Sequence, residues 1–347
     1  MKIACLQFSP EVGQIHTNMA KANALIDDAI GAHRTTDLDW LLLPELALTG
    51  YNFPSLEAIA PFLEPTASGT STKWAMDVAR RLRCHVTVGY PEAASDGRRF
   101  NSTVTVSPSG DVLANYRKTF LYYTDETWAH EGDNRFFSGT LGTLGPVSMT
   151  DEFPRNSPIQ QGICMDINPH KFLAPWDAYE FARACLAAQS PIVALSMAWL
   201  TRQSADELAA APQDADAETL AYWLERFHPL LDLRTRPYDA PPIIVIMANR
   251  CGTEGGVAYA GTSTVMKIER GKTQIFDILG KGEEKLLVVD LNEVTTEVRG
   301  DNQYASAGKF VGERKAIGCI LVMSVEFILG FGEYIDAALK ILAGFEM

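Results

Sequence analysis

Two spacings of apolar residues run along this chain. Short apolar runs rich in β-branched residues recur at "KIACLQF" (2–8), "WLLLPE" (40–45), "CHVTVGYP" (84–91), "STVTVSP" (102–108), "IVALSMAW" (192–199), "IIVIMAN" (243–249), "GTSTVMKI" (261–268) and "KLLVVDL" (285–291). Their length and composition predict strands. Between several of them the spacing becomes helical, over 18–33, 71–83 and 176–189. In 18–33 it places Ala20, Leu25, Ile26 and Ile30 near one face. A turn at "SPSGD" joins two strands, and 202–240 reads as one or two surface helices, the last packing through Tyr222, Trp223 and Phe227. Strands alternating with helices predict an α/β protein, a mixed sheet covered by helices.

The bulk numbers narrow the class. The chain has 347 residues, 47% of them hydrophobic and 21% charged, a soluble globular composition. One large layered domain reaches that length. No repeat or long linker interrupts it, so one domain is expected over 1–310, followed by a C-terminal extension, 311–347. The net charge of −13 argues against nucleic acid as a partner, because phosphate binding needs clustered positive charge. Of six cysteines none forms a CxxC pair, so neither a zinc site nor a disulfide framework is expected. The N-terminus lacks the apolar segment of a signal peptide, and a cytoplasmic protein is expected. The longest apolar run, 316–332, contains Glu326 and is too short for a membrane span; it reads as a core-packed or interface helix.

Three stretches carry candidate chemistry. In "LLLPELALTGY" (41–51) an apolar strand is followed at once by Glu45, at the sheet rim where catalytic groups collect. In "YRKTFLYYTDETWAHEG" (116–132) Lys118 opens an aromatic-rich segment, with Glu126 eight residues on. In "GICMDINPHKF" (162–172) Cys164 follows an apolar strand and precedes a turn, where backbone N–H groups favour a thiolate. Each alone has a bland alternative: a capping acid, a solvated lysine, a core cysteine. His130 and His170 lack a matching third residue for a Cys–His dyad.

Together and in this order the three stretches resemble the nitrilase superfamily, the carbon–nitrogen hydrolases. The family's pattern matches Pro44-Glu45 through Gly50-Tyr51, Tyr116-Arg117-Lys118 through Leu121, and Gly162-Ile163-Cys164-Met165-Asp166. The resemblance covers about residues 1–310 and implies a four-layer α-β-β-α sandwich. "YRKTFLYYTDETWA", "CMDINPHKFLAP", "SMAWL" and "NRCGTEGGVAYAGTS" are most similar to the fungal-type protein N-terminal asparagine/glutamine amidohydrolases. That likeness implies deamidation of N-terminal Asn and Gln to Asp and Glu with release of ammonia, feeding N-degron turnover.

The resemblance also implies roles. Cys164 is the nucleophile and Glu45 the proton shuttle. Lys118 and the Met165 N–H are the oxyanion donors, and Glu126 is a second acid orienting Lys118 or the substrate. No metal or cofactor is implied. A cationic α-amine calls for an acid or a ring, and Asp125, Asp166, Trp128 and Trp199 are the candidates, with Glu131 and Asp133 nearby. Asp166 has a second reading as a cap of its turn. Protein or peptide N-termini are the expected partners, without nucleic acid or membrane, and a homo-oligomer is allowed. Two rivals stay open: an ω-amidase, carbamoylase or nitrilase acting on a free small molecule, and an inactive binding protein on the same fold.

Overall fold

The computed structural model describes residues 1–33, 37–133, 136–144, 157–291 and 321–324. All eight expected strands form. The first sheet contains β1 (Lys2–Gln7), β2 (Trp40–Leu42), β3 (Glu64–Pro65), β4 (His85–Ala93), β5 (Arg99–Val106), β6 (Val112–Arg117) and β15 (Lys285–Asp290). Its order is β15-β1-β2-β4-β5-β6, with β3 also paired to β4. The second contains β7 (Phe137–Gly139), β8 (Ile159–Ile163), β9 (Ile192–Met197), β10 (Ile243–Asn249), β13 (Thr264–Glu269), β14 (Lys272–Ile278) and β16 (Leu321–Ser324). Its order is β16-β14-β13-β10-β9-β8-β7. A separate hairpin joins β11 (Thr253–Glu254) to β12 (Val257–Ala258).

Strand alternation explains the layering. Along β1, Ile3 and Cys5 pack between the sheets, while Ala4 and Leu6 face the helical layer of α1 (Ile15–His33) and α3 (Thr70–Leu82). Along β9, Ile192 and Ala194 face the first sheet. Val193, Leu195 and Met197 face α5 (Glu180–Ala188), α7 (Ala217–Arg226) and α8 (His228–Leu231). Strands buried on both faces read as continuous apolar runs, which is why these were legible. The result is an α-β-β-α sandwich.

Several expectations change in detail. Ala20 lies on the exposed side of α1; Ala22 and Ile26 are its fully buried apolar positions, with Met19, Leu25, Ala29 and Ile30 packed beside them. The helix expected over 176–189 breaks at Tyr179, whose left-handed φ of 44° separates a short 3-10 turn from α5. Segment 202–240 carries α6 (Ala205–Ala210), α7 and α8, and Trp223 and Phe227 enter the core as expected. Within the expected extension, Leu321–Ser324 pairs antiparallel with β14 as a strand rather than a helix. The boundary near 311 and the rest of that extension lie outside the described residues.

The first parallel strands of each sheet end on the same side. β1, β2 and β4 run parallel, as do β8, β9 and β10. Glu45 follows the end of β2, Cys164 the end of β8 and Ala198 the end of β9. Beyond the carboxyl ends of parallel strands the backbone is free to present side chains to a ligand. Cross-sheet bonds hold the two rims together: Ser196 Oγ donates to Leu43 O at 2.8 Å and Gln161 Nε2 to Thr105 Oγ1 at 3.0 Å.

Candidate active site

The turn after β2 aims Glu45 inward. Leu46 adopts a left-handed φ of 43°, and its carbonyl accepts from the N–H groups of Thr49 and Gly50. Gly89 of β4 lies so close that a Cβ there would meet Leu46 N at 2.6 Å, Pro44 O at 2.7 Å and Glu45 Cα at 2.8 Å. Only glycine permits that approach of strand to turn. Cys164 opens a 3-10 turn, Cys164–Ile167, and also holds a left-handed φ, 40°. Strained backbone at both positions marks places where the surrounding packing overrides local preference.

Four side chains form a closed hydrogen-bonded ring in the interior. Lys118 Nζ donates to Glu45 Oε1 and to Asp125 Oδ2, each at 2.5 Å. Asn101 Nδ2 donates to Glu45 Oε1 at 2.7 Å and to Asp125 Oδ1 at 3.0 Å. Lys118, Glu45, Asp125 and Asn101 are each 0% exposed. Asp125 Oδ2 also accepts the Tyr122 N–H at 3.1 Å, and Glu45 Oε2 accepts the Ala198 N–H at 3.0 Å. A lysine buried between two carboxylates is held charged: burial opposes the charge, yet Asp125 and Glu45 together drive its pKa above the usual lysine value.

The electrostatics set resting protonation states. Burial raises Glu45 to about 7, with Lys118 pulling down and Asp125 pushing up. Burial also pushes the Cys164 thiol well above its ordinary value, the Glu45 charge adding to it while Lys118 and the Ala198 N–H oppose it. The expected resting thiolate is therefore corrected. Desolvation outweighs Lys118 and the Ala198 N–H, and Cys164 is a thiol beside a carboxyl able to take its proton.

The other expected residues divide. Glu126 is corrected: it lies exposed, and Asp125, one residue earlier, takes the place beside Lys118. The helical turn α4 (Tyr123–Glu126) turns adjacent side chains to different sides, so a spacing of seven residues reaches Lys118 and eight does not. Asp125 is thereby committed to Lys118, Asn101 and Tyr122 rather than open to a substrate amine. Asp166 is likewise corrected toward its capping reading. Its Oδ1 accepts from Thr119 N at 3.0 Å and Phe120 N at 2.9 Å. Its Oδ2 accepts from Tyr116 Oη at 2.6 Å and Ile163 N at 2.7 Å. Glu131 pairs with His170 at 2.8 Å and Asp133 with Arg98 at 2.6 Å.

Met165 is buried in the turn after Cys164. Trp128 is buried in the cluster formed by Leu46, Tyr51, Phe53, Ile59, Ala198 and Tyr259. Trp199 stays half-buried, its ring 5.3 Å from that of Tyr222 and its backbone N–H held by Asn249 Oδ1 at 2.8 Å. Asn101 and Tyr51 were missed by the sequence reading. The Tyr51 ring centroid lies 5.8 Å from Lys118 Nζ, and its phenol feels Asp125, Glu45 and Cys164. An asparagine inside the apolar strand "RFNSTVTV" was the available signal, because Asn is depleted in strands.

A buried Glu–Lys–carboxylate cluster beside a cysteine, at the strand ends of an α-β-β-α sandwich, defines a hydrolase of the carbon–nitrogen type, and the chain belongs to that family. The model of the family Carbon-nitrogen hydrolase matches residues 2–171. Within it the chain is 35% identical to the Protein N-terminal amidase of Schizosaccharomyces pombe, over 84% of this chain and 100% of that protein. It is 31% identical to the Protein N-terminal amidase of Saccharomyces cerevisiae over 59% of this chain, spanning 46% of that longer protein. A crystal structure of N-terminal amidase superposes with a TM-score of 0.73 at 23% identity, covering 83% of this chain and 97% of that one. Saccharomyces cerevisiae Nit3, of branch 10 of the nitrilase superfamily, superposes with a TM-score of 0.59 at 17% identity, over 83% and 89%. These two structures share the fold.

Proposed function

We propose that this hydrolase deamidates N-terminal Asn and Gln of proteins or peptides, giving Asp and Glu and releasing ammonia. The observation that carries the reading is the buried Glu45–Lys118–Asp125 cluster beside Cys164, in a chain 35% identical to a protein N-terminal amidase over that protein's whole length. Glu45 takes the Cys164 proton, and the sulfur attacks the side-chain carboxamide carbon. Lys118 has three N–H donors and uses two on Glu45 and Asp125, leaving one for the oxyanion. The Met165 N–H is the second donor. Glu45 returns the proton to the departing ammonia, and the acyl group stays on sulfur as a thioester. Water, deprotonated by Glu45, then releases the new carboxylate and restores the thiol.

The four nearby acids are committed to other partners, so we assign the α-ammonium to ring faces, with Trp199 beside Tyr222 as the receiving pair. We further propose that the product feeds N-degron turnover and that the enzyme works in the cytoplasm. Among the described residues no helix is long and apolar enough to cross a membrane.

The test is ammonia release from peptides with N-terminal Gln or Asn, their N-acetylated forms and internal Gln, for wild type and Cys164→Ala. Release from the free N-terminal peptides alone, lost in the variant, supports the reading. Release indifferent to acetylation, or activity only on free glutamine analogues, replaces it with a small-molecule amidase. An unaltered Cys164→Ala protein replaces it with a binding protein.

A further inference from the structure

The two oxygens of Glu45 are unequally occupied. Oε1 accepts from Lys118 Nζ at 2.5 Å and from Asn101 Nδ2 at 2.7 Å, which fills both lone pairs. Oε2 accepts from the Ala198 N–H alone, at 3.0 Å, and keeps one lone pair open. The same Ala198 N–H also acts on the Cys164 thiol, opposing the rise that burial gives it. The open lone pair and the thiol therefore share a neighbour.

Asn101 is what closes Oε1. Its other amide N–H goes to Asp125 Oδ1 at 3.0 Å, and its backbone carbonyl accepts the Lys118 N–H at 2.8 Å. Its own Oδ1 is buried without a partner. A flipped amide would turn that oxygen toward two carboxylates, so the orientation follows from charge. A buried acceptor left unpaired is costly, and the site tolerates it in return for two donors aimed at two acids.

We propose that Asn101 is a positioning residue of proton transfer: its two side-chain N–H groups occupy Glu45 Oε1 and Asp125 Oδ1, so that Glu45 receives the Cys164 proton at Oε2. The Sγ–H bond breaks, Oε2–H forms, and the sulfur keeps the electron pair with which it attacks carbon. The Ala198 N–H, released as Oε2 becomes protonated, then turns its charge toward the thiolate. The inference rests on the reading of Glu45 as base and Cys164 as nucleophile.

Two measurements test it on the full chain. The first is the pH dependence of Cys164 alkylation by iodoacetamide, followed by mass spectrometry, which needs no substrate. The second is kcat and KM on an N-terminal Gln peptide. Asn101→Leu removes both donors. Asn101→Ser keeps one and carries the test if the leucine variant does not fold. The groups facing Glu45 are Lys118, Asp125 and Cys164, with the phenols of Tyr51 and Tyr259 farther out. None of these is changed by either variant.

Loss of the Asn101 donors is expected to move the inflection of alkylation upward by about half to one pH unit and to lower kcat about 10- to 100-fold, with KM within about threefold. Asn101→Ser falls between. A wild-type inflection with unchanged kcat, or a loss confined to KM, overturns the proposal. Glu45→Gln is the control. If it abolishes the inflection while the Asn101 variants leave it in place, the Asn101 role falls and Glu45 stands as base. If Glu45→Gln itself leaves the inflection, the underlying reading falls and the proposal with it.

Discussion

Tyr116 donates its phenol to Asp166 at 2.6 Å, joining the last strand of the first sheet to the turn after β8 in the second. Asp166 also accepts the N–H groups of Thr119 and Phe120, just beyond Lys118, and that of Ile163, just before Cys164. One carboxyl thus sets the distance between the buried cation and the thiol. Burial raises it to about 6, the Tyr116 hydrogen bond opposing. Asp166→Asn keeps one accepting oxygen and turns an NH2 toward a backbone N–H. Unfolding stability should fall by about 1–3 kcal/mol, several degrees in a thermal melt. Activity on an N-terminal Gln peptide should fall at least about tenfold.

Glu45 should give stability and activity opposite pH dependences. Its folded pKa is raised from 4.5 to about 7, burial being the largest cause. A carboxyl that binds its proton more tightly when folded stabilises the fold below its unfolded pKa, and that stabilisation is lost as pH rises toward 7. Denaturant unfolding of wild type against Glu45→Gln between pH 4.5 and about 7 should show the variant gaining relative stability by up to about 3 kcal/mol. Over the same range wild-type kcat/KM should rise, since in the proposed mechanism Glu45 works as the carboxylate, and Glu45→Gln should lose activity.

Asp125 and Glu126 separate cleanly. Asp125→Asn removes a charge in contact with Lys118 and should cost about 100-fold or more in kcat. Glu126→Gln alters an exposed side chain and should stay within about twofold. Parallel steady-state kinetics decide it; the reverse ranking would restore Glu126 as the second acid.

Gly89→Ala presses a methyl group onto the backbone of Pro44, Glu45 and Leu46, where no rotamer change relieves the contact. Overpacking of this kind costs about 1–3 kcal/mol. Because the strained atoms belong to the turn that aims Glu45, kcat should fall by more than tenfold, roughly, even where circular dichroism shows the fold intact.

Trp199→Ala should raise KM for peptides with a free N-terminal amine about 5- to 30-fold, in line with loss of about 1–2 kcal/mol of cation–π attraction, with kcat little changed. A shift in kcat alone would place Trp199 outside amine recognition.

The architecture was legible because its strands are buried on both faces: runs such as "IVALSMAW" and "IIVIMAN" are short, continuous and rich in aliphatic residues, the pattern of a doubly covered strand. Glu45 and Cys164 were legible because each closely follows such a strand, whereas Lys118, after the part-exposed β6, was legible through the family motif, which names all three positions. The second acid was misread because sequence spacing near a helical turn does not say which of two adjacent carboxylates points inward. Asp125 and Glu126 are separated by the 0% exposure of the first and the open surface of the second.

Asn101 sits 56 residues from Glu45 and 24 from Asp125, and no local pattern announces that one amide will serve both. The sequence determined the layers and the candidate nucleophile, because hydrophobic periodicity and strand ends act over a few residues. Only the tertiary structure decided which acids meet Lys118, which oxygen of Glu45 stays open and how the thiol is protonated. Those depend on desolvation and on hydrogen bonds between segments that meet when the two sheets close.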